Sequence, residues 1–216
     1  MPLPTTRPVL PALTRFHFTG LFEYFEDFMA QIDAPKLDRL GIGYLDPSAD
    51  FQIPQLCKFI VRSEKFRLSL FMHADLRAVH MPRITVIELW GQSFFTLSTR
   101  DDGMSQVLSQ IAGILSDVDR LSIGSEFTGY SRVGSRIQWL EILRPFTAMR
   151  SLNVKARLSQ RIADALNNVT GAEAAEVLPA LESLCLENRE ISSVKKFVTA
   201  RQNVGHPLTF INKESV

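Results

Sequence analysis

Apolar residues recur along this chain in two rhythms. The first is a short unit whose last two apolar positions lie two apart. It appears as Pro11-Ala12-Leu13-Thr14-Arg15-Phe16-His17-Phe18 and as Pro35-Lys36-Leu37-Asp38-Arg39-Leu40-Gly41-Ile42. It returns as Val118-Asp119-Arg120-Leu121-Ser122-Ile123, as Met149-Arg150-Ser151-Leu152-Asn153-Val154, and as Pro179-Ala180-Leu181-Glu182-Ser183-Leu184-Cys185-Leu186. Apolar residues two apart share one face of a strand. The second rhythm is helical. Leu21, Phe25, Phe28, Met29 and Ile32 fall on one side, with Glu23, Glu26 and Asp27 on an opposite, solvated side. Met104, Val107, Leu108, Ile111, Ile114, Leu115 and Val118 form an unbroken stripe, and Leu158, Ile162, Ala165, Leu166 and Val169 another. These patterns predict helices at about 21–32, 104–116 and 158–168. Further helical faces are Ile53/Leu56/Cys57/Ile60 with Pro54 in the first turn, Trp139/Leu140/Leu143/Phe146, and Ile191/Val194/Phe197/Val198, the last stopped by Gly205. Leu208 to Ile211 can add a terminal strand.

Taking Leu13, Leu37, Val118, Met149 and Leu181 as equivalent, the steps are 24, 81, 31 and 32 residues, the long one being close to three steps of about 27. Strand and helix alternating at such a step place parallel strands on one side and helices on the other. The expected fold is therefore α/β: a leucine-rich-repeat-like solenoid, its curved, largely parallel sheet covered on the outer face by helices. Residues 10–212 form this domain, after an extended Pro-rich segment at 1–9 and before a tail at 213–216. A strand-rich, irregular segment at about 66–99 interrupts the pattern. There Phe66, Leu68 and Leu70 alternate, and Leu76–Met81, Ile84–Trp90 and Phe94–Leu97 are rich in β-branched and aromatic residues. Met81-Pro82-Arg83 reads as a tight turn, residues 100–103 as a helix cap, and residues 129–135 as a polar loop.

Composition narrows the function classes. The 216 residues are 45% hydrophobic, enough for one continuous core. Twenty-four Lys and Arg balance 23 Asp and Glu, so nothing favours a nucleic-acid surface. No apolar run reaches the length of a membrane span, and the first residues lack the apolar core of a signal peptide. Cys57 and Cys185 are expected as buried, reduced thiols in an intracellular, cytoplasmic or nuclear protein, where the sequon Asn168-Val169-Thr170 stays unused.

The usual signatures of phosphate loops, nucleophile elbows and zinc sites are missing. Gly41-Ile42-Gly43 is a glycine fragment inside a strand. No cofactor or metal is expected, and the chain is read as non-catalytic. An enzyme would need a pocket gathering groups such as His73, Asp75 and His80 from separate loops. Instead, the strand pattern turns one set of side chains outward: Arg15 and His17, Arg39 and Gly41, Arg120 and Ser122, Ser151 and Asn153, Ser183 and Cys185. Three of the five copies place Arg in the same column. On a concave strand surface Arg15, His17, Arg39, Arg120, Ser122, Ser151 and Asn153 would hold a protein partner, with an acidic or phosphorylated segment suiting the arginines.

Several stretches resemble one family. They are Ile32-Asp33-Ala34-Pro35-Lys36-Leu37, Arg136-Ile137-Gln138-Trp139-Leu140-Glu141 through Leu143-Arg144-Pro145-Phe146, Val177-Leu178-Pro179-Ala180-Leu181-Glu182-Ser183-Leu184, and Phe197-Val198-Thr199-Ala200-Arg201-Gln202 followed by Gly205-His206-Pro207-Leu208. Together they look like the C-terminal region of the large F-box protein family of mushroom-forming fungi. The resemblance implies the target-holding part of a substrate receptor in a cullin–RING ubiquitin ligase. The F-box helices that would hold the ligase adaptor are not found before Leu13. Adaptor binding is therefore expected only if such helices lie upstream, and the expectation is of a fragment, a truncated gene model or a member that lost the box. Without an upstream covering unit, the first strand is expected to leave an open edge that favours self-association. The alternative is a free-standing interaction scaffold without a ubiquitin role.

Overall fold

The computed structural model describes residues 7–44, 52–68, 71–79, 84–100, 104–125, 136–170, 173–187, 189 and 191–211. The expected turn at 81–83, the cap at 100–103, the loop at 129–135 and His80 lie wholly or largely outside these residues. Nine strands form one sheet: β1 Arg15–Gly20, β2 Arg39–Tyr44, β3 His73–Val79, β4 Ile84–Trp90, β5 Phe94–Arg100, β6 Arg120–Ser125, β7 Ser151–Val154, β8 Ser183–Leu186 and β9 Thr209–Ile211. Their order across the sheet is β1-β2-β5-β4-β3-β6-β7-β8-β9. Only β4 runs antiparallel to its neighbours, and every other pairing is parallel. The protein is thus α/β with a mostly parallel sheet.

The five repeat positions do the same local job. The N–H groups of Leu13, Leu37, Val118, Met149 and Leu181 donate to the carbonyls three residues earlier, those of Leu10, Ala34, Leu115, Phe146 and Leu178. Each such turn delivers the chain to a strand beginning two residues on. The next step is then locked to the previous one. Asp38 and Arg39 both donate to the Thr14 carbonyl, Arg150 and Ser151 to that of Asp119, and Glu182 and Ser183 to that of Arg150.

Between β2 and β6 the one-strand step fails. The helix Phe22–Gln31 (α1) lies between β1 and β2. From β2 the chain passes through Pro54–Arg62 (α2), which packs on α1, and Glu64–Leu68 (α3), and enters the sheet three positions away at β3. It returns through β4 and β5 to pair with β2. The strand-rich reading of this region holds for β3, β4 and β5 but not at its start. Phe66 and Leu68, expected to alternate along a strand, lie in α3, where Phe66 is buried and stacks on Phe71 with ring centroids 6.4 Å apart.

The remaining helices are Met104–Gln110 (α4), Ala112–Leu115 (α5), Arg136–Leu143 (α6), Ala156–Leu166 (α7), Glu173–Glu176 (α8) and Lys195–Asn203 (α9), with a 3-10 turn at Ile191–Val194. The single helix expected at 104–116 is broken. Ile111 sits at φ −95°, ψ 15°, and the Ile114 N–H reaches back only three residues, to the Ile111 carbonyl. Gly205, at φ +81°, follows α9 as the sequence predicts.

One face of the sheet carries the core. Leu40, Ile42, Ala74, Leu76, Ile87, Leu89, Phe95, Leu97, Leu121, Ile123, Leu152, Val154, Leu184 and Leu186 are all buried. On β1 the same face packs against α1 through Phe16–Phe28 and Phe18–Phe25, with ring centroids 5.0 and 5.2 Å apart.

Side chains tie neighbouring helices end to end. The first turn of α2 lacks a side-chain cap of its own, its N-cap residue being Ile53. Glu26 of α1 supplies one: its carboxylate accepts from the Gln55 N–H at 2.6 Å and the Leu56 N–H at 3.0 Å. Glu26 was expected on a solvated face. It is buried instead, because the start of α2 lies against it. The Ile53 N–H donates to Gln110 Oε1 at 2.7 Å. In return, Arg62 at the end of α2 donates to the Met29 and Ile32 carbonyls at 2.9 and 3.0 Å, closing the C-terminus of α1, and its guanidinium lies 5.5 Å from the Phe59 ring centroid. Arg62→Ala is expected to lower stability by about 1–2 kcal/mol, the cost of releasing two charge-assisted bonds to helix-end carbonyls. Urea unfolding checks this, and a change below about 0.3 kcal/mol would show that water replaces the guanidinium without loss.

At the other end, Arg201 is almost completely buried. It donates to the carbonyls of Ala174, Leu178, Leu181 and His206 at 3.1, 3.0, 2.9 and 3.2 Å. Burial pulls its pKa down. The turn it fills contains Leu178, which has φ 56°, a left-handed conformation uncommon for a branched side chain. The segments around Pro179 and around Arg201 therefore meet in one hydrogen-bonded clamp.

Candidate partner-binding face

The opposite face of the sheet carries no comparable set of buried apolar side chains among the described residues. Strand register arranges its outward side chains in rows. The first row reads Arg15, Arg39, Phe94, Trp90, His73, Arg120, Ser151, Ser183 and Thr209. The second reads His17, Gly41, Thr96, Glu88, Asp75, Ser122, Asn153, Cys185 and Ile211.

The sequence-predicted residues all lie in these two rows. Arg15, His17, Arg39 and Arg120 are exposed, and Ser122, Ser151 and Asn153 are half-buried. They do not form one cluster. Arg15 and Arg39 are direct cross-strand neighbours. Arg120 is four strands from Arg39, or about 19 Å at the usual strand spacing. The inserted strands β5, β4 and β3 fill the gap with residues that sequence reasoning passed over.

The electrostatics of the row are uneven. In the middle, Arg77 bonds to Glu88, and its Nε lies 3.3 Å from Asp75. Arg120 pairs with Asp119 at 3.5 Å, and Asp119 also meets Arg150 at 3.6 Å. The side chains of Arg15 and Arg39 form no hydrogen bond or ion pair among the described residues, and both are exposed, so two like charges stand side by side. Next to them Trp90 and Phe94 pack with ring centroids 4.6 Å apart, and Trp90 is 47% exposed. The signal for this pair was in the sequence: Trp90 and Phe94 flank the turn Gly91-Gln92-Ser93, and residues equidistant from a hairpin turn face each other.

Along β2 the outward residues after Arg39 are Gly41 and Gly43. The His17 ring lies over Gly41, its Nδ1 only 2.4 Å from where a Cβ would stand. The glycine thus lets His17 fold flat, and His17 Nε2 and Thr19 Oγ1 are 3.2 Å apart. The glycine fragment is therefore a device of this face and not a phosphate loop.

His73 and Asp75, weighed as a catalytic pair, are successive outward residues of β3 on this open surface. On the helical side there is a cleft of about 190 Å³ lined by Cys57, Ile60, Val61, Phe66, Ile111 and Ile114 among others. The Cys57 thiol donates to the Gln110 carbonyl at 3.3 Å, and burial, helped by the charge on Glu26, pushes its pKa up. A protonated thiol is a poor nucleophile. Among the described residues no group of three or more His, Cys, Asp or Glu is placed to hold a metal ion, and no helix is long and apolar enough to cross a membrane.

Comparisons with protein-family models, with curated proteins and with solved structures find no match to this chain.

Proposed function

We propose that the protein is a non-catalytic protein-binding module whose open strand face holds its partner. On this reading the fold is a leucine-rich-repeat-like solenoid with an inserted meander, and the module serves as the target-holding part of an F-box type substrate receptor. Its contribution is then to hold a target near a ligase, so that proximity does the work. The observation that carries the binding proposal is the row Arg15, Arg39, Phe94, Trp90. Exposed arginine and tryptophan, here in one row of the strand face, are among the residue types that dominate binding energy in protein interfaces. The ligase role rests on the family resemblance of the quoted stretches.

The test is affinity purification of the tagged chain from its native cell, beside the double variant Arg15→Ala/Arg39→Ala. The variant is expected to lose a wild-type partner by at least about tenfold while its melting temperature changes by less than about 2 °C, because both side chains are exposed and neither is paired among the described residues. Equal recovery of every partner by the variant would remove the arginines from the interface. A matching drop in melting temperature would make them structural. The ligase adaptor among the recovered proteins supports the ubiquitin role, and partners without it favour a free-standing scaffold.

A further inference from the structure

We propose that the first row of the open face recognises an extended protein segment in which a carboxylate lies three residues from an aromatic or large aliphatic side chain. The carboxylate bridges Arg15 and Arg39, and the apolar group rests on Trp90 and Phe94. This rests on the reading of the open face as a protein-binding surface.

Three observations lead to it. First, of the cations in the two outward rows and beside them, Arg77 and Arg120 already have acidic partners, whereas Arg15 and Arg39 have none among the described residues. Like charges directly opposite one another on adjacent strands repel, so an arriving anion removes a cost as well as making a bond. Second, Trp90 presents a large exposed aromatic surface and packs on Phe94, which lies between it and Arg39 in the row. Such a surface gains from burial under an apolar side chain. Third, the register fixes the separation. The midpoint of Arg15 and Arg39 lies two strand positions from the midpoint of Phe94 and Trp90. That is about 9.6 Å across the strands. A segment in the polyproline II conformation advances about 3.1 Å per residue with three residues per turn, so residues i and i+3 share one face about 9.3 Å apart. On the other side of Trp90 the next residues are His73 and Arg120, the latter already paired with Asp119, so the match has a direction.

The experiment is a selection of random linear peptides displayed on phage against the 216-residue chain, followed by fluorescence titration of the selected peptides. The titration follows the anisotropy of a fluorescent label on each peptide, a signal that does not depend on Trp90 and so reads wild type and variants alike. The expected peptides carry Asp or Glu three positions from Phe, Trp, Tyr, Leu or Met. Each should lose at least about tenfold in affinity to Arg15→Ala/Arg39→Ala and to Trp90→Ala, and should weaken as salt is raised. Circular dichroism of the variants confirms that they fold. Peptides lost by the variants but lacking this spacing would overturn the recognition rule and leave the open face as a binding surface. Peptides that bind the wild type and both variants equally would overturn both. If no peptide is selected, recognition of a linear segment is overturned.

Discussion

Replacing Arg201 with alanine is expected to destabilise the protein by roughly 3–5 kcal/mol and to lower its melting temperature by about 10 °C. The side chain is 1% exposed and its guanidinium satisfies the carbonyls of Ala174, Leu178, Leu181 and His206. Truncation removes this donor from all four acceptors, of which the Leu178 carbonyl keeps the Leu181 N–H, and each buried unsatisfied group costs about 1–3 kcal/mol before water enters. It also releases the left-handed Leu178, whose conformation is held by bonds on both sides of its turn. Arg201→Lys is expected to recover only part of the loss. Lysine offers three donors from one point, and cannot span carbonyls that a planar fork reaches together. Equal stability of the lysine variant and the wild type, by urea unfolding, would show that charge alone is needed.

Glu26→Ala should be the next most costly change, at about 2–3 kcal/mol, because it strips the carboxylate that caps the first turn of α2 and takes the acceptor from the Gln55 and Leu56 N–H groups. Its pH dependence is the more specific sign. Burial raises the Glu26 pKa, against the pull of the Gln55 and Leu56 N–H groups. Between the ordinary carboxylate value and this raised one, the folded state binds more protons than the unfolded state. Stability contributed through this group is therefore largest at the acid end and is lost as pH rises through the raised value. The difference in unfolding free energy between wild type and Glu26→Gln should shrink as pH rises above the ordinary carboxylate range of about pH 4. A difference that grows instead would mean that the hydrogen bonds outweigh burial.

How far the sequence reaches is clear from particular residues. Leu13, Leu37, Val118, Met149 and Leu181 were legible as equivalents because a turn, a strand start and a period-two apolar pair all lie within eight residues. Local signals of that kind survive in any tertiary context. The strands β3, β4 and β5 were legible, at about 76–81, 84–90 and 94–97, from β-branched and aromatic content. Their place in the sheet was not, since pairing order depends on which edge of the sheet is free when the chain returns. That order is what separates Arg39 from Arg120 and puts Trp90 and Phe94 between them. Glu26 was misplaced for a similar reason: the N–H groups it serves are about thirty residues away, and the acidic pattern of its own helix gives no hint of them. Phe66 and Leu68 mimicked a strand because two or three alternating residues are too few to distinguish a period of two from one turn of helix.

Site-specific photo-crosslinking in the native cell tests the central claim most directly. A photoreactive residue would be placed singly at Thr96 or Asn153 on the open face, and at Lys58 or Gln160 on exposed helix positions. If the strand face is the binding surface, Thr96 and Asn153 should yield the same discrete adducts, competed away by unlabelled chain, while Lys58 and Gln160 should not. Adducts confined to Lys58 and Gln160 would place the partner on the helices and contradict the account.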